Sequence, residues 1–99
     1  MTAPVLEHVL LDVLPDQTEA FEAAFVVARP LIEAQRGFVQ LELRRCIEYP
    51  ARYLLLVTWD SLEAHTIGFR QSPEYDQWRA LLHHFYDPMP EVTHYEAVG

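Results

Sequence analysis

Apolar residues follow two different periods along the chain, and each change of period marks a new element. Residues 5–13, VLEHVLLDV, have the composition of a strand. The next apolar residues lie three and four positions apart, as in an amphipathic helix, and they are Phe21, Ala24, Phe25, Ala28 and Ile32. We expect Asp16 to cap this helix, Pro30 to kink or split it, and Gly37 to end it.

The pattern then returns to that of strands. Residues 38–47, FVQLELRRCI, alternate, and their apolar face is predicted to carry Val39, Leu41 and Leu43. The turn-forming EYPAR separates this segment from residues 52–59, RYLLLVTW, so the two segments predict a hairpin. Because residues 52–59 are apolar at almost every position, we expect a central strand that is covered on both faces.

Two helical pieces are predicted after the hairpin. Asp60 and Glu63 have the spacing of an N-cap and its N3 carboxylate, which predicts the start of a short helix. Ser72, followed by proline, has the features of a second helix start. The break between these signals predicts separate helices over residues 60–71 and 73–86.

Residues 91–98, EVTHYEAV, predict a final strand and complete the order β-α-β-β-α-β. This order is the ferredoxin-like plan of the α+β class, an antiparallel sheet with helices on one face, and we expect one domain over residues 1–99. The second face of the sheet is expected to stay partly apolar, with Val9, Leu11 and Val13 on it. A second copy of the chain would cover that face, so we predict a homodimer.

Charge and cysteine content narrow the function classes. Fifteen acidic residues against seven basic ones give a formal charge of −8, and every basic residue is arginine. Such a surface disfavours nucleic acid, and the lack of lysine excludes Schiff-base chemistry and a phosphate-loop lysine. A lone Cys46 excludes an internal disulfide and a thiolate zinc site. No signal peptide or membrane-spanning run is evident, so we expect a cytoplasmic protein without membrane contact.

Two adjacent histidines, His83 and His84, lie near the end of the last predicted helix. Neighbouring helical residues point about 100° apart, so the two imidazoles cannot chelate one ion, and we predict no metal site. The helix dipole favours protonated imidazoles in the last turn, and Asp87 lies four residues beyond His83. A role in ending the helix and a role in proton transfer or substrate contact both stay open.

The same helix combines polar and aromatic side chains on one face. Helical spacing places in one stripe Tyr75, Arg79, His83 and Tyr86, beside an apolar face of Trp78, Leu81, Leu82 and Phe85. The stripe is either an interfacial face held by hydrogen bonds or one wall of a pocket.

Other polar residues fall where they can meet the core. His65, on the short helix, is either structural or the best titrating group outside the last helix. His8 and His94 alternate with apolar residues on the first and last strands and are candidates for lining a cavity. Arg45 shares the apolar face of its strand, where we expect a carboxylate to pair with it at the sheet end or across a dimer interface.

The stretch VTWDSLEAHTIGFRQSPEYDQWRALLHHFYDP, which follows the hairpin, resembles the antibiotic biosynthesis monooxygenase family. The similarity covers about residues 5–98. It is strongest in a strand ending at Trp59, a short helix begun by serine, and the Ser72-x-x-Tyr75 start of the last helix. The resemblance implies a dimeric α-β barrel.

The resemblance also implies an activity. The family contains cofactor-free oxygenases of anthrone-like polyphenols, quinol monooxygenases, haem-degrading enzymes and members with no known activity. In the cofactor-free branch a phenol or hydroquinone becomes an anion, passes an electron to dioxygen and is oxygenated in a dry pocket. This implies a monooxygenase of a small aromatic molecule that needs no tightly bound cofactor.

The implied catalytic roles are proton acceptance by His65 or His83 and stabilisation of the substrate anion by Arg79. The residues implied to contact the substrate are Tyr75, Trp78, Phe85 and Trp59. Haem degraders of this fold use a last-helix histidine near the position of Trp78 and Arg79, whereas His83 and His84 come about one turn later. Haem degradation is therefore the weaker branch, and a non-catalytic dimeric binding or stress-response module is the other alternative.

Overall fold

A computed structural model describes residues 3–99 of the chain. Four strands and two α-helices make up the fold, with the bounds β1 Val5–Asp12, α1 Thr18–Glu33, β2 Phe38–Arg45, β3 Arg52–Trp59, α2 Pro73–Leu82 and β4 Val92–Glu96. A π-helical segment, Ala64–Phe69, precedes α2, and single 3₁₀ turns precede α1 and follow α2. No helix within the described part of the chain is long and apolar enough to cross a membrane.

The four strands form one antiparallel sheet in the order β2-β3-β1-β4. Together with the helices this is the predicted β-α-β-β-α-β arrangement, and β3 occupies the predicted central position. Alternate residues of the strands share one core with α1 and α2. We name this side of the sheet the covered face and the opposite side the open face.

The two faces of β1 are opposite to our expectation. Val9, Leu11 and Val13 lie buried on the covered face, so their predicted place on the open face is wrong. The open face instead presents the alternate residues, such as Leu10, of which 47% is exposed. Both sets of alternate residues in β1 are largely apolar, so the sequence of the strand cannot indicate which set lies beneath the helices.

Helix α1 buries Phe21, Phe25, Ala28 and Ile32, four of the five residues predicted from the pattern. The helix continues through Pro30, so the predicted split is wrong. Proline cannot donate to the carbonyl of Val26, but both residues are exposed, and water can satisfy that carbonyl. The predicted cap is also wrong, because Asp16 lies in the preceding 3₁₀ turn and Gln17 takes the N-cap position.

Helix α1 ends at Glu33, before the predicted Gly37. Gly37 has φ 88° in the turn that leads into β2. A Cβ atom there would lie 2.5 Å from Oδ1 of Asp60, so both the backbone conformation and the space require glycine.

The hairpin of β2 and β3 contains one irregularity that the alternation does not predict. The pairing register shifts between Phe38 and Gln40, which is a β-bulge. Val39 is consequently 56% exposed and leaves the apolar face on which Leu41 and Leu43 remain. The bulge turns Phe38 toward the core, where its ring contacts Trp59 edge to face.

The predicted division into two helical pieces and the predicted cap of the second piece are confirmed. Ser72 caps that piece by accepting a hydrogen bond from the Tyr75 amide at 3.2 Å. In the first piece Ser61 accepts a hydrogen bond from the Ala64 amide, whereas Asp60 was the predicted cap. Arg45 forms an ion pair at 3.3 Å with Glu22 of α1, the kind of carboxylate partner that its position predicted.

Candidate functional site

A cavity of about 60 Å³ lies between the covered face of the sheet and the helices. Its walls are mostly apolar residues of β1, α1, α2 and β4. Six residues supply its polar lining, namely Glu7, His65, Arg70, Tyr75, His83 and Tyr86. An apolar cavity with a few convergent polar groups is the usual form of a small-molecule site.

Glu7 is the one acidic residue on the covered face of β1, and only 5% of it is exposed. The indole Nε1 of Trp59 donates a 2.9 Å hydrogen bond to its Oε1 atom. Burial raises the pKa of the Glu7 carboxyl to about 7, and the Trp59 bond and the charge of Arg70 oppose this rise. A carboxyl with this pKa exchanges protons readily near neutral pH.

His65 lies beside Glu7 and is 3% exposed. Its ring stacks on Trp59 at a centroid distance of 5.3 Å, and its Nε2 atom lies 3.4 Å from Glu7 Oε1. Its other nitrogen, Nδ1, is 2.8 Å from Nε2 of His94. Burial, together with the charges of Arg70 and His94, lowers the pKa of His65 to about 3, so the ring is neutral in the folded protein.

His94 joins this cluster through strand pairing. In the antiparallel register of β1 and β4 it lies directly opposite Glu7, and it is half-buried. Burial lowers the pKa of His94, and the charge of Arg70 contributes. We name Glu7, His65 and His94 the carboxyl-imidazole cluster.

The 2.8 Å contact between two imidazole nitrogens fixes how the cluster shares protons, because one nitrogen must donate and the other accept. If Nδ1 of His65 donates to His94, its Nε2 atom is an acceptor toward a protonated Glu7. If Nδ1 accepts from His94, Nε2 carries a hydrogen and faces an ionised Glu7. The cluster therefore has two complementary protonation states.

The stripe predicted on the last helix is only partly directed at the cavity. Tyr75, His83 and Tyr86 line it, and the His83 ring lies 6.2 Å from that of Tyr75 and 5.7 Å from that of Tyr86. Burial lowers the pKa of His83, with a contribution from the charge of Arg79, and burial raises the pKa of Tyr86. Arg79 is exposed, and its guanidinium lies 5.9 Å from the centre of the Tyr75 ring.

The sequence-predicted site residues thus fall into three groups. Those that line the cavity are His65, His83, Tyr75 and Trp78. Trp59 and Phe85 are buried in the core, and Trp59 reaches the site through its bond to Glu7. Arg79 lies outside the cavity, whereas Arg70 lines it.

Glu7 was not among the predicted site residues, although the sequence contains a signal for it. Glu7 interrupts an otherwise apolar set at alternate positions of the first strand, Val5, Val9, Leu11 and Val13. A carboxylate at such a position must be buried or at the end of the sheet. The meeting of His65 with His94 had no comparable signal, because it depends on strand order.

The adjacent histidines behave differently from one another. His83 is the C-cap residue of α2 and opens the 3₁₀ turn His83–Phe85, while His84 is exposed and packs on Phe85. Across residues 3–99 no group of three or more His, Cys, Asp or Glu residues is arranged to hold a metal ion.

Comparison with known proteins agrees with this architecture. Uncharacterized protein YczJ of Bacillus subtilis (strain 168) is 45% identical over 94 residues, which cover 95% of this chain and 99% of that protein. A crystal structure from Bordetella bronchiseptica, described as an antibiotic biosynthesis monooxygenase, is 35% identical with a TM-score of 0.92 and covers 99% of this chain and 100% of that one.

A more distant structure shares the fold alone. SnoaB, a cofactor-independent oxygenase from Streptomyces nogalater, is 19% identical with a TM-score of 0.85 over 99% of this chain and 96% of its own. The family model for antibiotic biosynthesis monooxygenases matches residues 4–81. By this match and by its relatives, the chain belongs to the antibiotic biosynthesis monooxygenase family.

Proposed function

We propose that the protein is a monooxygenase that oxygenates a small phenol or quinol without a tightly bound cofactor. The observation that carries this proposal is Glu7, a buried carboxyl with a pKa near neutrality at the wall of an apolar cavity. Such a group can take a phenolic proton inside a dry site, where the resulting anion is reactive toward dioxygen. Family membership and the fold shared with SnoaB support the same chemistry.

The reaction balances without an external reductant. A hydroquinone and one O₂ give a hydroxyquinone and one water, so one oxygen atom enters the ring and the other leaves as water. The substrate supplies all the electrons. The protein is then required only to remove protons, hold the ring and exclude bulk water.

The cavity residues divide these tasks between them. Glu7 and His65 are the proposed proton-accepting pair, and His83 is a second polar group that a substrate hydroxyl can contact from the opposite wall. Tyr75 and Trp78 supply the aromatic surface that orients the ring. We assign stabilisation of the substrate anion to Arg70, which lines the cavity, and not to Arg79, which lies outside it. Phe85 contributes by packing in the core against Phe21.

The size of the cavity points to a small substrate. At about 60 Å³ it is smaller than the roughly 150 Å³ in which benzene is held in an engineered protein, so even a single ring requires the wall to open. The exposed Arg70 is a wall residue that can move without disturbing the core. A single-ring quinol is therefore a better candidate than a three-ring anthrone.

The residues present do not fit the haem alternative. Trp78 is buried against Phe25 and Phe69 near the position where the resemblance places the iron ligand, and the cavity is far below the roughly 300 Å³ of pockets that bury larger ligands. We derive no reaction step through haem. The remaining alternative is a binding module without oxygen chemistry, and oxygen consumption distinguishes it from the proposed oxygenase.

We further propose that the working unit is a homodimer formed by the open faces of two sheets. That face presents Leu10 and Tyr95, which are about half exposed, together with the partly exposed Leu6, Leu54 and Leu56. Contiguous apolar surface of this kind is usually covered by another chain. The charged residues of β2 on this face, Glu42 and Arg44, are paired with each other, and a two-fold contact between the apolar residues would be self-complementary.

Oxygen consumption by the purified protein with single-ring hydroquinones and with anthrones tests the proposed activity. We expect turnover of a hydroquinone without added metal or flavin, at a rate that rises as pH passes through about 7, because Glu7 accepts a proton only when ionised. His65→Ala is expected to lower turnover about a hundredfold, and His84→Ala, which changes an exposed histidine, serves as the control. Tight hydroquinone binding with no oxygen uptake would instead identify a binding module.

A further inference from the structure

The carboxyl-imidazole cluster joins two spaces that are otherwise separate. Glu7 and His65 are buried in the wall of the cavity, whereas the half-buried His94 lines a groove on the surface beside β4, together with Val5, Leu62, Tyr95 and Glu96. The 2.8 Å contact between His65 and His94 connects the cavity wall to this groove. A hydroxyquinone is a vinylogous carboxylic acid that leaves as its anion at neutral pH, so a hydroquinone and one O₂ then give the hydroxyquinone anion, one water and one proton. The buried base that takes this proton must pass it on to water before the next turnover.

We propose that Glu7, His65 and His94 form a proton relay that carries the one net proton of each turnover from the cavity to the groove beside β4. This inference rests on the proposed function, because the proton is supplied by the phenol or quinol. It assigns His94, a residue outside the cavity, as the outlet of the site.

Each transfer follows from the contacts of the cluster. A substrate O–H bond breaks and a bond to Glu7 forms, at Oε2, because Oε1 takes the contacts with Trp59 and His65. After the carboxyl rotates, Glu7 gives its proton to Nε2 of His65 as Nδ1 of His65 gives its own to Nε2 of His94. Nδ1 of His94 then releases a proton to water in the groove. The 3.4 Å contact between Glu7 and His65 is the longer of the two steps and is expected to shorten when a substrate is bound.

The surroundings of His65 favour passage of the proton over its retention. The stack on Trp59 fixes the plane of the ring, so both nitrogens stay aimed at their partners. The charge of Arg70 opposes a lasting imidazolium at His65. The other ionisable groups around the cluster are Tyr75, His83 and Tyr86, which line the cavity, and Tyr95 and Glu96, which line the outer groove with His94.

The first test needs no substrate. Exchange of the buried His65 imidazole proton with water is measured by NMR in the unmodified protein and in His94→Gln, which keeps a hydrogen-bonding side chain but cannot relay a proton. We expect exchange to slow at least about tenfold in His94→Gln and to stay unchanged in His84→Gln. Unchanged exchange in His94→Gln, in a variant whose spectrum shows a native fold, would overturn the relay.

The second test asks whether turnover uses the relay. With a single-ring hydroquinone in dilute buffer, His94→Ala is expected to lower kcat at least about tenfold with little change in KM, and added imidazole is expected to restore kcat. Normal kcat in His94→Ala, or a loss that imidazole does not rescue, would overturn the use of this path in catalysis. No oxygen uptake by the unmodified protein, together with slowed exchange in His94→Gln, would defeat the proposed function while supporting the proton path.

Discussion

The covered and open faces of the sheet are built from alternate residues of the same strands, yet the polar residues of the two faces are buried to different extents. Glu7 and His8 are neighbours in the sequence and point to opposite faces. Glu7 is buried beneath the helices with its pKa raised to about 7. His8 stays half-buried on the open face, where its ring meets Tyr95 at 5.6 Å edge to face.

This difference shows that the packing layer above a residue determines its chemistry. Desolvation by the helices converts an ordinary glutamate into a group that titrates near neutrality. The open face has no such layer within one chain.

The largest effect is expected from two adjacent leucines of β3. Leu55 is buried on the covered face and Leu54 lies half-buried on the open face. Leu55→Ala is expected to lower the free energy of unfolding by about 2–5 kcal/mol, because it leaves a cavity in a packed core. Leu54→Ala is expected to lower the free energy of unfolding by clearly less. Urea unfolding at low protein concentration measures both values. Equal losses would show that the two faces are equally covered.

The next effect concerns the pH dependence of stability. Between pH 4.5, the ordinary pKa of a glutamate, and about 7 the folded state keeps the Glu7 proton that the unfolded state has released, so stability falls as pH rises through this window. His65 acts in the opposite direction, because its pKa is lowered from 6.5 to about 3 and stability is lost as pH falls through that range. The two contributions partly cancel in the unmodified protein.

Glu7→Gln removes one of these contributions. We expect the variant to gain about 3 kcal/mol of stability relative to the unmodified protein as pH rises from about 4.5 to about 7, because a shift of one pKa unit corresponds to about 1.4 kcal/mol. Denaturant unfolding at several pH values measures this difference. Glu19→Gln, an exposed change on α1, is the control, and parallel pH profiles for all three proteins would contradict the assignment.

A smaller effect is expected on association. Leu10→Glu places a charge at the centre of the open face and is expected to raise the dimer dissociation constant about a hundredfold. Val26→Glu, at a residue of α1 that is 72% exposed, should leave it unchanged. Sedimentation equilibrium measures the dimer dissociation constants of both variants. A dimer that tolerates Leu10→Glu, or a monomer at micromolar concentration without any substitution, would refute association through the open faces.

The smallest effect is expected from Arg79, on the solvent side of α2. It contacts the outside of the Tyr75 ring, so Arg79→Ala is expected to lower hydroquinone turnover only about twofold to threefold, mainly through Tyr75. Arg70→Ala, which removes the cation at the cavity wall, is expected to cost more. Steady-state kinetics of both variants test whether Arg79 reaches the substrate. A loss of turnover in Arg79→Ala larger than that in Arg70→Ala would indicate that it does.

Local features of the sequence were predicted well because their causes are local. The hairpin, the break before Ser72 and its capping bond depend on residues close together in the chain. The continuity of α1 through Pro30 and the bulge at Val39 were not predicted, because exposure of the freed carbonyl and pairing with β3 decide them. In the candidate site, the sequence identified His65 and His83 among the residues that line the cavity, but it indicated neither Glu7 nor the contacts of His65 with Glu7 and His94.

The sequence by itself determined the order of elements, the serine cap of α2, the absence of lysine chemistry and a family resemblance that the family model bears out. The tertiary structure alone decided which parity of β1 is covered, since both parities are apolar. It also decided that Glu7, His65 and His94 lie together, because the pairing of β1 with β4 places His94 opposite Glu7. Only the packed helices remove the water that would otherwise keep Glu7 an ordinary carboxylate.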